Sequence, residues 1–146
     1  MGRIIHYTDQ ALNDSDKTVD LSSQVGNKQS SGEIELKYGI VKLTTTAAAG
    51  NRLLTLAVLD ENDVEVFHTH AGSYQAASLT YHYYLMAGIY RETVSAVAET
   101  GVDGTIEVPF PEDFEWPRNW SFRIYDKNAI AAAADDMLVD LALEIC

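Results

Sequence analysis

A chain of 146 residues and 16.1 kDa has room for one globular domain with its own core and not for two. Its composition (47% hydrophobic, 22% charged, 10% aromatic) is that of a packed protein, which excludes wholesale disorder and the collagen-like, coiled-coil and disulfide-scaffold classes. Ten basic against 22 acidic residues give a formal net charge of -12, which repels phosphate backbones and anionic lipid heads, so neither nucleic acid nor a membrane is an expected partner.

The opening Met1 to Tyr7 lacks the apolar run of a secretory signal, so synthesis in the cytoplasm is expected. Residues 8 to 31 (TDQALNDSDKTVDLSSQVGNKQSS) hold few apolar side chains and sustain neither a twofold nor a 3.6-fold period. They read as an extended N-terminal arm over residues 1–31, ahead of a folded domain over 32–146. Ile4, Ile5, Tyr7, Val19 and Leu21 are then apolar groups without an intrachain core, available to a neighbour; the alternative is that they fold back on the same domain.

From Gly32 the pattern changes to short alternating segments between turn residues, the signature of antiparallel β structure. Residues 33–46 place Ile34, Leu36, Tyr38 and Ile40 on one face and Val41 and Leu43 on the other, with Gly39 as the expected bulge. Residues 52–59 and 64–70 flank the polar loop Asp60-Glu61-Asn62-Asp63 as a hairpin. Leu54, Leu56 and Val58 would meet Val64 and Val66 in the core, with Thr55, Glu65 and Thr69 facing solvent.

Leu79, Tyr81, Tyr83 and Leu85 form one face of a further strand. Residues 89–98 are read weakly as strand, 101–104 as a turn, and 105–110 as a strand limited to an edge by Pro109. Trp120, Phe122 and Ile124 alternate in the next strand, and the last one puts Met137, Val139, Leu141, Leu143 and Ile145 opposite Asp140 and Glu144. The alanine run between them, 129–134, has the propensity for one or two helical turns. About eight strands with mostly long connections predict an all-β fold: a two-sheet antiparallel sandwich, jelly-roll-like.

Catalytic motifs give no positive sign, and no enzyme activity is expected. The histidine pair in His68-Thr69-His70 resembles the start of the cupin metal motif, but Asn62 replaces its glycine and Tyr74 or Gln75 its glutamate. No metal or other cofactor is expected. Asp60 to Asp63 departs from a calcium loop at Val64, and the neighbouring carboxylates Asp135-Asp136 and Glu112-Asp113 diverge on an extended chain. Trp116, in the acidic connection 111–117, is the candidate for a sugar-binding platform. Leu53, Leu59, Phe67, Tyr84 and Leu138 fall opposite the chosen apolar faces, more apolar surface than one small sandwich hides, and Phe67, Tyr84 and Leu138 are the candidate oligomer interface.

The polar arm through Ser31, the stretch Arg52 to Asp60, the segment Tyr74 to Leu79, and the closing Trp120 to Asp126 and Asp135 to Val139 together resemble the small jelly-roll decoration or cement proteins of tailed-bacteriophage heads. The resemblance spans most of residues 32–146 and implies a virion structural protein on the capsid surface, forming homo-oligomers, as a rule trimers. It implies the major capsid protein as partner, bridged from outside to stabilise the mature shell, with the arm as a strap. The alternative is a carbohydrate- or receptor-binding module of a phage tail or fibre, with Trp116 at its site.

Overall fold

The computed structural model describes residues 3–10, 13–20, 33–87, 104–111, 114–117 and 119–145. Ten strands and no helix form among them: β1 (Arg3–Asp9), β2 (Asp16–Asp20), β3 (Glu33–Thr44), β4 (Leu54–Leu59), β5 (Glu65–His70), β6 (Thr80–Ala87), β7 (Gly104–Phe110), β8 (Glu115–Pro117), β9 (Ser121–Asp126) and β10 (Asp136–Ile145). The expected all-β sandwich is what they build. A large sheet runs β1-β10-β3-β6-β7 with β8 also on β3, and a small sheet runs β2-β9-β4-β5. Pairing is antiparallel except between β6 and β7, which are parallel. The connection between those two, residues 88–103, lies outside the described residues, as do the weak strand expected at 89–98 and most of the expected turn at 101–104.

Period-two alternation assigns the core. Val41, Leu43, Tyr83, Leu85, Val139 and Leu141 point inward from the large sheet and Leu54, Leu56, Val58, Phe122 and Ile124 from the small one, all buried. The expected inward row of β10, Met137 to Ile145, is buried throughout. Each such aliphatic side chain contributes about 1.5–3 kcal/mol through burial, which is what holds two otherwise separate ladders face to face.

Residues 3–9 and 16–20 correct the expected arm. β1 pairs with β10 from Arg3↔Ile145 to Asp9↔Val139, and β2 pairs with β9 from Asp16↔Tyr125 to Asp20↔Ser121. The N-terminal segment therefore supplies one edge strand to each sheet. Val19 is in the core and Ile5 and Tyr7 pack on its rim. Lys17, also turned inward, reaches Asp9 of the other sheet at 3.8 Å and ties the two edges together. Leu21 lies outside the described residues.

β3 changes face at Lys37, not at the expected Gly39: Leu143 pairs with Leu36 and Ala142 with Tyr38, leaving Lys37 as the extra residue. Gly39 instead points inward, where an added Cβ would lie 2.6 Å from Leu141 Cδ2 and 3.2 Å from Leu85 Cδ1. Gly39→Ala must push back two core side chains, at about 1–3 kcal/mol, against a backbone-entropy gain of about 0.5–1 kcal/mol. A net loss of about 1 kcal/mol is expected in urea unfolding; an increase in stability would mean that Leu141 repacks freely.

The hairpin forms, and its bulge between Val58 and Leu59 reverses the expected faces of β5. Val58 pairs with Phe67 and Leu59 with Glu65, so Val64 and Val66 are exposed while Phe67 joins the core rim. Asp60 closes the turn by accepting from the Asn62 and Val64 amides at 2.8 and 3.0 Å, the solvated turn read from the sequence. No helix forms in the alanine run, because Ala129 and Ala131 take left-handed backbone angles (φ 52° and 48°); a single turn closes at its end, where the Ala134 and Asp135 amides both donate to the Ala131 carbonyl at 2.8 Å. Asp126 holds that chain reversal by accepting from the Asn128 and Ile130 amides.

Candidate functional site: two outer sheet faces

The outer faces of the two sheets have opposite character. On the large sheet, the bulge at Lys37 turns Tyr38, Ile40 and Lys42 outward. Tyr38 stands between Ala142 and Met86, Ile40 between Asp140 and Tyr84, and Lys42 between Leu138 and His82. β1 extends the first two of these rows with His6 and Thr8, while Ile4 stands beside Glu144, and the His6 ring meets Tyr38 edge-on at 6.4 Å. Tyr38 (53% exposed), Ile40 (41%), Tyr84 (37%) and Met86 (40%) thus form an apolar surface across β3 and β6, with Ile4 (50%) on the far side of β10. A shallow depression of about 230 Å³ adjoins it, lined by Thr8, Ile40, Lys42, His82, Leu138 and Asp140.

The charge on this face is nearly balanced. Lys37 bridges Glu144 at 2.9 Å and Glu35 at 3.3 Å; those hydrogen bonds, Glu144 first, raise its pKa. Lys42 lies one strand from Asp140. Aromatic and methionine side chains in a row, rimmed by paired charges, match the make-up of a protein contact surface.

The outer face of the small sheet carries a belt of polar groups bonded to one another. Arg123 makes a forked pair with Asp16 at 2.7 and 3.0 Å and lies 4.0 Å over the Tyr125 ring. The Tyr125 hydroxyl donates to Glu65 at 3.1 Å, and His68 Nδ1 meets the other Glu65 oxygen at 2.9 Å. The hydrogen bond with Asp16 raises the Arg123 pKa, and burial, then Glu65, raises that of Tyr125. Thr55 and Ala57 lie between these long side chains on the central strand and are buried, which corrects the expected exposure of Thr55.

His70 Nδ1 is 2.8 Å from the Ala71 carbonyl oxygen and His68 Nδ1 is held by Glu65, so the pair is not turned to one shared point; His82 is on the other sheet. Among the described residues no group of three or more His, Cys, Asp or Glu is placed to hold a metal ion. Asp135 and Asp136 diverge: Asp135 is buried against Arg52 and Asp136 accepts from the Asn13 amide. Glu112, Asp113 and Cys146 lie outside the described residues.

Of the candidate interface residues, Tyr84 and Leu138 share the outer face of the large sheet. Phe67 does not: it turns inward, meeting Phe110 edge-on at 5.6 Å and lying tilted against Phe114 at 4.8 Å. Trp116 offers no sugar platform, being 1% exposed and packed flat on Phe122. Tyr38, Ile40 and Met86 are the surface residues that the sequence reading missed; moving the face change of β3 by two residues would have exposed the first two.

No protein-family model matches the chain, and no curated protein matches it. Among solved structures the chain is similar to one in the structure of the infectious bursal disease virus Gx strain (11% identity, TM-score 0.35, covering 97% of this chain and 32% of that one). It is also similar to VP2 in a subviral particle of infectious bursal disease virus (12% identity, TM-score 0.31, 97% and 32% covered). This chain therefore spans 32% of the length of either. At these TM-scores the likenesses assign no function.

Proposed function

We propose that this chain is a non-catalytic structural protein of a virion, of the decoration or cement type, docking on the outside of a phage capsid. The observation that carries the reading is the apolar outer face of the large sheet, Ile4, Tyr38, Ile40, Tyr84 and Met86, on a chain of net charge -12. A nearly neutral apolar face on a strongly acidic protein directs it onto a partner by that face and keeps decorated particles apart by the rest. The sequence resemblance over residues 32–146 implies the major capsid protein as partner and a homo-oligomeric assembly, made in the host cytoplasm and bridging capsid subunits. Stabilisation then follows from mass action: a protein that binds only the mature shell shifts the equilibrium toward it.

The test is binding to purified capsids that lack the protein. Ile40→Lys puts a charge at the centre of the face without touching the core and opposite Asp140, where it meets no like charge, and should weaken binding at least tenfold while leaving the melting temperature within a few degrees of the parent's. Wild-type binding by that variant, or no binding by the unmodified protein to any mature shell, would remove the proposal.

A further inference from the structure

We infer that β1 is a docking edge for a second copy of this chain, the two β1 strands pairing antiparallel about His6 so that the large sheets of two copies become one. A sheet edge presents unpaired amides and carbonyls, and soluble proteins blunt such edges with inward charges, prolines, bulges or shortness. Among the described strands, β2 carries the inward Lys17, β5 has the bulge opposite Val58 and Leu59, β7 contains Pro109, and β8 has three residues. β1 differs from all of them. Its ladder with β10 is unbroken over seven residues, and Ile4 to Thr8 include no proline, lysine or bulge.

The sequence of β1 supplies the partner. Inward and outward faces match across a perpendicular twofold axis only when paired residue numbers have an even sum, because a slip of one residue sets inward side chains against outward ones. Of those registers, the one centred on His6 uses the whole strand. It sets Arg3 opposite Asp9 of the second copy, Ile4 opposite Thr8, and Ile5 opposite Tyr7. The only formal charges of β1 are of opposite sign and stand at its two ends, so this register makes two charge pairs per dimer, each adding to the contacts that Asp9 Oδ2 already makes with Lys17 and the Tyr7 hydroxyl. Registers centred on Ile5 or Tyr7 break both pairs. Ile5 and Tyr7, which only partly bury themselves on their own core, become a cross-strand aliphatic–aromatic pair. The interface is isologous, and it leaves the apolar outer face open to a different partner.

The full-length protein at about 100 µM should have the mass of a dimer, or of an assembly built from dimers, by light scattering. In the Cys146→Ser background, His6→Cys should cross-link under mild oxidation, because opposed residues lie about 4.5–5.5 Å apart at Cα, within disulfide reach. Ile4→Cys should not, since its twin is four residues away along the strand, about 13 Å. Arg3→Asp should weaken self-association at least tenfold while leaving capsid binding as it was, and Asp9→Arg added to it should restore the dimer. Should the double variant lose its cooperative melt, the cross-linking pattern alone decides. A monomer at that concentration, equal cross-linking at positions 4 and 6, or a trimer cross-linked through Tyr84→Cys and not through position 6, would overturn the inference.

Discussion

Replacing Arg52 by alanine is expected to cost about 3–5 kcal/mol of stability, a large share of the roughly 5–15 kcal/mol that holds a domain of this size together. Arg52 and Asp135 are both fully buried at one end of the sandwich. Nε donates to Asp135 Oδ2 at 2.9 Å and Nη2 to Oδ1 at 3.2 Å. The other donors are used as well: Nη1 reaches the carbonyls of Ala48 and Gly50, each at 2.9 Å, and Nη2 the Thr46 hydroxyl at 3.3 Å. One guanidinium thus fastens the loop after β3 to the turn before β10. Truncation would leave the Asp135 carboxylate buried with the Thr46 amide and strand two carbonyls without their donor. Arg52→Lys should recover little, because an ammonium cannot reproduce the planar fork.

The backbone of the same residue carries the arrangement further. Arg52 exchanges two hydrogen bonds with Gln75, whose side-chain amide donates to Leu43 and Leu79 and accepts from the Tyr83 hydroxyl at 2.8 Å. Burial pushes the Tyr83 phenol far above the ordinary tyrosine range, which keeps it a donor. Urea unfolding of Arg52→Ala is the measurement. A loss below about 1 kcal/mol would mean that water enters and solvates Asp135, and that this end of the sandwich is not closed by the ion pair.

What the sequence made legible is what period two can carry. β10, β4 and the inward row of β6 bury the residues their alternation assigns, and the 60–63 loop is a turn for the reason its residues suggest. Strands that depend on a distant partner were not legible. β2 has a single apolar residue, Val19, among Asp16, Lys17, Thr18 and Asp20, and owes its existence to the β9 ladder and the Lys17–Asp9 pair. β6 and β7 pair in parallel across a long connection, which local pattern does not encode. The alanine run forms no helix because the chain reverses there through left-handed angles at Ala129 and Ala131, a tight turn that Asp126 holds and that local propensity does not announce.

The candidate site was half legible, and the same device hid the rest twice. An excess of apolar side chains, Tyr84 and Leu138 among them, announced an exposed contact face. Its centre was hidden because a bulge at Lys37 sends Tyr38 and Ile40 outward, while the bulge at Val58 and Leu59 draws Phe67 in and leaves Val64 and Val66 out. A bulge shifts every later side chain to the other face, and its position is set by the partner strand as much as by the bulged one.

Trp116→Ala is expected to destabilise the protein by about 3–5 kcal/mol, the range for removing a large aromatic from a packed core. The three-residue strand β8 pairs Trp116 with Ile34 and turns its ring onto Phe122, with centroids 5.7 Å apart and planes inclined by 16°. Phe110 meets it edge-on at 6.3 Å, and Phe114 lies tilted at the same distance. Phe67 closes the far side of the cluster against Phe110 and Phe114. Five rings from β5, β7, β8, β9 and the approach to β8 therefore fill one end of the space between the sheets, and no neighbour can collapse into an indole-sized void without breaking an edge-to-face contact. Trp116→Phe keeps a ring in place and should lose much less. Fluorescence separates the outcomes, because Trp120, partly exposed and bonded to Glu61 at 2.8 Å, is the only other tryptophan. Unfolding of the unmodified protein should red-shift a buried emission that Trp116→Ala lacks from the start. A Trp116→Ala variant as stable as the parent would place the ring at the surface and reopen this end of the sandwich as a ligand platform.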